Sequence, residues 1–142
     1  MKKRTLYVSD MDGTLLNSNS EVSARQSEII SELSHAGALI TVATARTPAT
    51  VVPLMSNTFI SIPYVVLTGA AMYDHATESY HNANYIPADD LRLLLKLYAD
   101  AGIHPFVYHH NGGKLLVSHH YGMTSLERDF YTPRSNLRLK RF

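Results

Sequence analysis

A pair of aspartates near the start of the chain has the residue types and the spacing of a catalytic carboxylate pair. Asp10 and Asp12 directly follow the apolar run of residues 6–9. A short apolar run bounded by turn residues predicts a buried parallel strand, and open α/β sheets place their sites at the carboxyl ends of such strands. Because residues i and i+2 of a strand point to the same side, we expect both carboxylates to face one small volume.

The chemistry that suits this pair is phosphoryl transfer assisted by a hard cation. Two neighbouring carboxylates repel each other unless a cation lies between them, and Mg²⁺ prefers oxygen ligands while keeping several waters. Asp10 is then a candidate nucleophile, and Asp12 is a candidate general acid and base. Gly13 allows backbone conformations closed to other residues, so that the N–H groups near Met11 and Gly13 can approach a phosphoryl group. The alternative is a loop turn with solvated carboxylates.

The motif around the two aspartates also has a family resemblance. Residues 10–16 read Asp-Met-Asp-Gly-Thr-Leu-Leu and resemble the first motif of the haloacid dehalogenase-like (HAD) superfamily of phosphohydrolases, most closely its Cof-type sugar-phosphatase branch. The resemblance implies that Asp10 is the nucleophile, that Asp12 is the acid/base, and that Mg²⁺ binds the Asp10 side chain and the Asp12 backbone carbonyl. It implies hydrolysis of a small phosphorylated metabolite, such as a sugar phosphate, through an aspartyl-phosphate. A phosphomutase of the same superfamily is an alternative, because it shares this motif.

A second candidate site segment follows the next apolar run, residues 38–43, and reads Thr44-Ala45-Arg46-Thr47-Pro48. A hydroxyl at a strand end, followed by a helix with Pro48 in its first turn, suits anion binding, although Thr44 alone is equally a helix cap. The resemblance implies that Thr44 binds a phosphoryl oxygen. It also implies a substrate-binding role for the segment, with Ala45 where a glycine is usual and Arg46 either contacting substrate or making a structural pair.

The elements that must position these residues alternate between strand and helix. A helix begins after Ser20 or Ser23 and runs to about His35, with Ile29, Ile30 and Leu33 as its apolar stripe. A strand at residues 64–67 and a hairpin at residues 72–81 follow. This order predicts a parallel α/β sheet, and the resemblance makes residues 1–83 a partial HAD-like Rossmannoid core.

The pattern changes to antiparallel α+β after residue 83. A helix from about residue 88 to 101 is followed by a hairpin around residues 111–113, and the resemblance makes residues 84–142 the start of a C2-type cap. Five histidines cluster in this part, at positions 104, 109, 110, 119 and 120. They are candidates for a transition-metal site, for a surface facing a polar substrate, or for a solvated surface.

The composition of the chain argues against several classes of function. The chain has 142 residues, a net charge of +1 and no cysteine, which argues against a dedicated nucleic-acid or membrane surface and leaves no thiolate metal site. No apolar run is long enough for a membrane span or a signal-peptide core, so we expect a cytoplasmic protein without nucleic-acid or membrane partners.

The resemblance covers only the first part of the family pattern. We find neither the late lysine that neutralises the phosphoryl group nor the Gly-Asp-x-x-x-Asp segment that completes the Mg²⁺ site. Two hypotheses follow: the N-terminal portion of a Mg²⁺-dependent phosphatase, or a catalytically incompetent fragment or binding module. A homo-oligomer or a completing chain is a further expectation, and the sequence names no particular substrate.

Overall fold

Two parallel strands carry the predicted site segments. In the computed structural model, which describes residues 4–111 and 114–142, β1 (Leu6–Ser9) pairs in parallel with β2 (Leu39–Val42), with Leu6 opposite Leu39. The connection between them contains helix α1 (Ala24–His35). The predicted α/β fold with a parallel sheet is therefore confirmed.

Helix α1 begins where its sequence provides a cap. The Ser23 side chain accepts a hydrogen bond from the Gln26 N–H, and the Gln26 side chain accepts one from the Ser23 N–H. This reciprocal capping box satisfies two N–H groups that the first helical turn leaves without partners. Of the two predicted caps, Ser23 is therefore the one used.

The third strand connects the parallel pair to an antiparallel hairpin. Helix α2 (Pro48–Leu54) follows β2, with Pro48 at its first position and Pro53 near its end. Strand β3 (Tyr64–Val66) joins β2 through a single parallel bridge between Ala43 and Val65. It then pairs antiparallel with β4 (Ala71–Asp74), and β4 pairs with β5 (Ser79–His81), which confirms the predicted hairpin.

The predicted burial of β1 is wrong. Leu6, Tyr7 and Val8 keep 53%, 60% and 52% of their surface exposed, because β1 is the edge strand of its sheet and pairs only with β2 within the described residues. The predicted apolar stripe of α1 is also largely uncovered, since Ile29 and Leu33 are exposed. The buried part of this unit lies instead around β2, α2, β3 and β4, with Val42, Val51, Met55, Ile60, Tyr64, Val66 and Tyr73 almost fully enclosed.

The remaining elements form a second unit. The chain divides into compact units at Met1–Asn84 and Tyr85–Phe142. The identity of the predicted segments 1–83 and 84–142 as core and cap domains stays a prediction. The second unit holds α3 (Ala88–Asp100), the antiparallel strands β6 (Val107–Asn111) and β7 (Lys114–Ser118), α4 (Ser125–Tyr131) and β8 (Lys140–Arg141), which pairs in parallel with β7.

The hairpin turn predicted at residues 111–113 lies partly outside the described residues, since residues 112 and 113 are not described. Leu115, Val117 and Leu139 are buried in this unit, while no residue of α3 is. In the described part of the chain, no helix combines the length and the apolar character needed to cross a membrane.

Candidate active site

The two predicted site segments meet at the carboxyl ends of β1 and β2. The Ala43 N–H donates a hydrogen bond to the Ser9 carbonyl oxygen at 2.8 Å, one residue beyond the paired strands. Asp10 and Thr44, the next residue of each segment, therefore follow the same end of the strand pair. The carboxyl ends of neighbouring parallel strands are the usual position of a site in an open α/β sheet.

Asp10 stands at the entrance to a wide turn formed by residues 11–15. Its Oδ1 accepts a hydrogen bond from the Met11 N–H at 2.7 Å, and the Leu16 N–H closes the turn on the Met11 carbonyl oxygen at 2.9 Å. The Met11 side chain is completely buried and anchors the turn, while Asp10 itself is exposed. The nucleophile candidate is thus a solvent-accessible carboxylate on a fixed backbone.

Gly13 is required by the shape of this turn. Its φ is +73°, in the left-handed region that costs other residues about 1 kcal/mol or more. Gly13 therefore adopts a backbone conformation of the kind that the sequence analysis expected a glycine to allow. The Met11 N–H, which was expected to approach a phosphoryl group, is bonded to Asp10 in this structure.

Asp12 forms a bidentate ion pair with Arg46. Nη2 of Arg46 donates to Oδ1 of Asp12 at 2.6 Å, and Nε donates to Oδ2 at 2.8 Å. The hydrogen bonds from Arg46 hold the pKa of Asp12 below its usual value, although partial desolvation opposes them, and the same contact raises the pKa of Arg46. Since 57% of the Asp12 side chain is exposed, solvent screens the pair, and its contribution to stability is at most about 1 kcal/mol.

Thr44 lies at the centre of the backbone connections between the three strand ends. Its N–H donates to the Val65 carbonyl oxygen at 3.0 Å, and its own carbonyl oxygen accepts from the Thr68 N–H at 3.1 Å. Its Oγ1 accepts from the Arg46 N–H at 3.1 Å. The alternative interpretation of Thr44 as a helix cap is wrong, because the residue that precedes α2 is Thr47.

The turn after β3 borders the same edge and is strained. Leu67 and Thr68 have φ values of +55° and +57°, and Gly69 has +84°. Such a conformation at a residue other than glycine costs of the order of 1–3 kcal/mol and is often found at functional sites. The Leu67 N–H donates to the Arg46 carbonyl oxygen at 3.0 Å, so this turn fixes the Arg46 backbone. Nothing at Leu67 in the sequence indicates this conformation.

The oxygen atoms at the site suit Mg²⁺ in kind, but few of them are available. Within residues 4–111 and 114–142, no group of three or more His, Cys, Asp or Glu side chains is arranged to hold a metal ion. Both oxygens of Asp12 are occupied by Arg46, which leaves the Asp10 carboxylate and main-chain carbonyl oxygens. Mg²⁺ is commonly held by one or two carboxylates together with waters and substrate phosphates, so this donor set fits such an ion.

The predicted site residues therefore fall into two groups. Asp10, Asp12, Thr44 and Arg46 come together at one edge of the sheet, and the exposed Ala45 lies between the last two. The clustered histidines belong to the second unit. There, His104 and His120 stack with ring centroids 3.9 Å apart, and His109 is hydrogen-bonded to Ser118.

The sequence of this chain is similar to those of known hydrolases. Residues 7–139 match the sequence profile of the haloacid dehalogenase-like hydrolases. Over 65 residues the chain is 37% identical to the 5-amino-6-(5-phospho-D-ribitylamino)uracil phosphatase YwtE of Bacillus subtilis (strain 168), a match that covers 46% of this chain and 22% of that protein.

Solved structures share the fold over almost the whole chain. The HAD-superfamily phosphatase BT1666 from Bacteroides thetaiotaomicron is 19% identical, with a TM-score of 0.68, over 97% of this chain and 48% of that one. The HAD subclass IIB sugar phosphatase BT4131 is 16% identical, with a TM-score of 0.62, over 98% of this chain and 52% of that one. The chain thus spans about half the length of these structures, and at such identities they establish a shared fold.

Proposed function

The chain belongs to the haloacid dehalogenase-like hydrolases, and from this premise we propose that it carries the nucleophile half of a phosphatase site. The reaction is hydrolysis of a phosphate monoester of a small metabolite, through a phosphorylated aspartate. The chain spans only part of the relatives described above, so the residues proposed below form a portion of the site of such an enzyme.

Asp10 is the proposed nucleophile. Its carboxylate is exposed, and the Met11 N–H binds one of its oxygens, which orients the other oxygen for attack on phosphorus. Attack forms the bond between the carboxylate oxygen and phosphorus while the bond from phosphorus to the substrate oxygen breaks. Water then attacks the acyl phosphate, which releases inorganic phosphate and restores the carboxylate.

Asp12 is the proposed acid and base. It lies two residues from Asp10 on the same turn. Once released from Arg46 and protonated from solvent, it gives that proton to the leaving oxygen in the first step, and the resulting carboxylate takes a proton from water in the second. Thr44 is the proposed phosphate anchor, because it follows the end of β2, and its hydroxyl accepts from the Arg46 N–H while keeping its own O–H for donation. The N–H groups near Gly13 and Ala45 are proposed to contact the phosphoryl oxygens.

We propose that Mg²⁺ is held by the Asp10 carboxylate and the Asp12 main-chain carbonyl oxygen. When bound, the ion supplies positive charge that offsets the repulsion between the phosphate and the carboxylates. The chain's own contribution is to keep the Asp10 carboxylate and the turn in fixed positions, with Met11 and Leu15 buried beneath them.

A single observation carries this proposal: the Ser9–Ala43 hydrogen bond brings two strand ends together, so that Asp10, Asp12, Thr44 and Arg46 share one edge. For the substrate class we propose a sugar phosphate. The names of the relatives support this choice, since one is a sugar phosphatase and another acts on a phosphorylated ribitylamino compound.

The test is hydrolysis of p-nitrophenyl phosphate by the folded chain with and without Mg²⁺, using Asp10→Asn as the comparison. We expect Mg²⁺-dependent hydrolysis that Asp10→Asn abolishes, while circular dichroism of the variant stays unchanged. Equal hydrolysis by Asp10→Asn and the wild type would contradict the assignment.

A second candidate function is a phosphate-binding module without turnover. The small number of oxygen ligands within the described residues and the occupied oxygens of Asp12 favour it. A folded chain that binds inorganic phosphate but shows no hydrolysis would support this alternative over the first.

A further inference from the structure

The contact between Asp12 and Arg46 has a consequence for how an anion enters the site. A guanidinium carries five N–H donors, and Asp12 uses two of them, which leaves three. The planar fork that fits a carboxylate also fits a phosphate. Asp12 occupies the Nε–Nη2 edge with both of its carboxylate oxygens, so a phosphoryl group that binds this edge must displace Asp12.

The backbone of Arg46 is held by two hydrogen bonds of its own. Its N–H is bonded to the Thr44 hydroxyl, and its carbonyl oxygen is bonded to the Leu67 N–H. The guanidinium, with 28% of the side chain exposed, faces a carboxylate that is 57% exposed. Exposed pairs of this kind are weak, so a competing dianion is able to displace the carboxylate without disturbing the fold.

We propose that Arg46 is a positioning residue that holds the Asp12 carboxylate in the absence of substrate and exchanges it for the substrate's phosphoryl group. Binding of the phosphate breaks the bidentate pair and releases the Asp12 carboxylate to face the substrate. This inference rests on the proposed function, because it requires the phosphoryl group to bind at the edge formed by Asp10 and Thr44.

The test is a double-mutant cycle on the binding of inorganic phosphate to the whole chain, measured by isothermal titration calorimetry in the presence of Mg²⁺. Asp12→Asn removes the competitor, and we expect it to tighten phosphate binding by up to about fivefold, the upper end of the range for an exposed pair. Arg46→Gln should weaken binding, and Arg46→Lys, which keeps the charge but loses the fork, should lie between Arg46→Gln and the wild type.

The decisive comparison is Asp12→Asn in the Arg46→Gln background. Competition for the guanidinium predicts that the gain from Asp12→Asn disappears there, whereas simple repulsion between Asp12 and phosphate predicts that it persists. A gain of equal size in both backgrounds, or unchanged binding by Arg46→Gln, would overturn the proposal.

Two further sets of variants complete the experiment. Arg25 and Glu28 form an exposed pair on α1 with a 2.7 Å contact, and Arg25→Gln and Glu28→Gln are matched controls that should leave phosphate binding unchanged. Thr44→Val and Asp10→Asn test the site itself. If Thr44→Val and Asp10→Asn change the affinity for phosphate but the Arg46 cycle shows no coupling, this inference alone is contradicted. If neither variant changes the affinity, or if the wild type does not bind phosphate, the proposed function is contradicted as well.

A second readout follows the pair directly. In the wild type, we expect the Arg46 Nε–H resonance in ¹H–¹⁵N spectra to shift when phosphate is added, and to lie at its own distinct position in Asp12→Asn. A resonance that stays fixed through saturation with phosphate would show that the pair does not open.

Discussion

At the scale of single residues, the site depends on side chains that follow strand ends and on one glycine. The positions of Asp10, Asp12 and Thr44 after strand ends were predictable because the apolar runs before them end at turn residues, and parallel strands bring such ends together; their roles in a site stay predictions. A structural pair for Arg46 was one of two alternatives from sequence, and the sequence did not identify Asp12 as the partner. Two residues separated by 34 positions meet only through the pairing of β1 with β2, which no local pattern encodes.

Gly13 offers a test of the turn that carries the aspartates. Gly13→Ala should destabilise the chain by about 1 kcal/mol, because φ is +73° while a Cβ at this position meets no atom within 4 Å. Gly13→Asn should cost less, since asparagine tolerates the left-handed region. The measurement is the urea midpoint of each variant, and equal midpoints for Gly13→Ala and the wild type would contradict the conformation.

Lys140 offers a test through pH. It is only 3% exposed, and burial lowers its pKa from 10.5 to about 8. The unfolded chain therefore holds this proton more tightly than the folded chain, so stability should rise between about pH 8 and pH 10. Lys140→Met, which retains the apolar stem, should flatten this rise. Urea denaturation at about pH 8 and pH 10 measures the free energy of unfolding of both proteins. An identical pH dependence in the variant and the wild type would contradict the burial of the charged group.

At the scale of elements, local signals predicted α1, the β4–β5 hairpin and α3 well. The capping residue, the apolar periodicity and the terminal glycines are all short-range features. Burial was not predictable in the same way, because it depends on what lies against each face. The apolar run of β1 has the composition of a buried strand, yet the described residues supply a neighbour on one side only.

The cap of α1 gives an element-scale prediction. Ser23→Ala removes both the acceptor for the Gln26 N–H and the partner of its side chain, and we expect a loss of about 1 kcal/mol in the free energy of unfolding. Ser18→Ala, in the exposed turn before the helix, is the control and should be neutral. Equal stability of the two variants in a urea titration would show that the capping box contributes nothing.

At the scale of the whole molecule, apolar surface remains uncovered in both units. Tyr7 of β1 and Leu93 and Leu97 of α3 are all more than half exposed, and the solved relatives are about twice as long as this chain. An exposed apolar edge strand is a template for pairing with another chain. The expected homo-oligomer or completing chain therefore stays a prediction with a physical basis.

We expect the isolated chain to associate with itself in a concentration-dependent manner. Val8→Lys places a charge on the exposed edge strand and should shift the equilibrium towards monomer, because lysine on an edge blocks strand pairing. Tyr121→Lys, at a loop residue that is 99% exposed, is the matched control. Sedimentation velocity over a range of concentrations measures the effect, and a monomeric wild type at every concentration would contradict it.

The central claim is that Asp10 becomes phosphorylated, and the most direct measurement is to trap that intermediate. The chain is incubated briefly with p-nitrophenyl phosphate and Mg²⁺, quenched with acid and reduced with borohydride, which converts a phosphorylated aspartate to homoserine. Mass spectrometry of the tryptic peptide of residues 5–25 then identifies the position. We predict homoserine at position 10 and none at position 12; hydrolysis without modification at position 10, or modification at position 12 instead, would contradict the assignment.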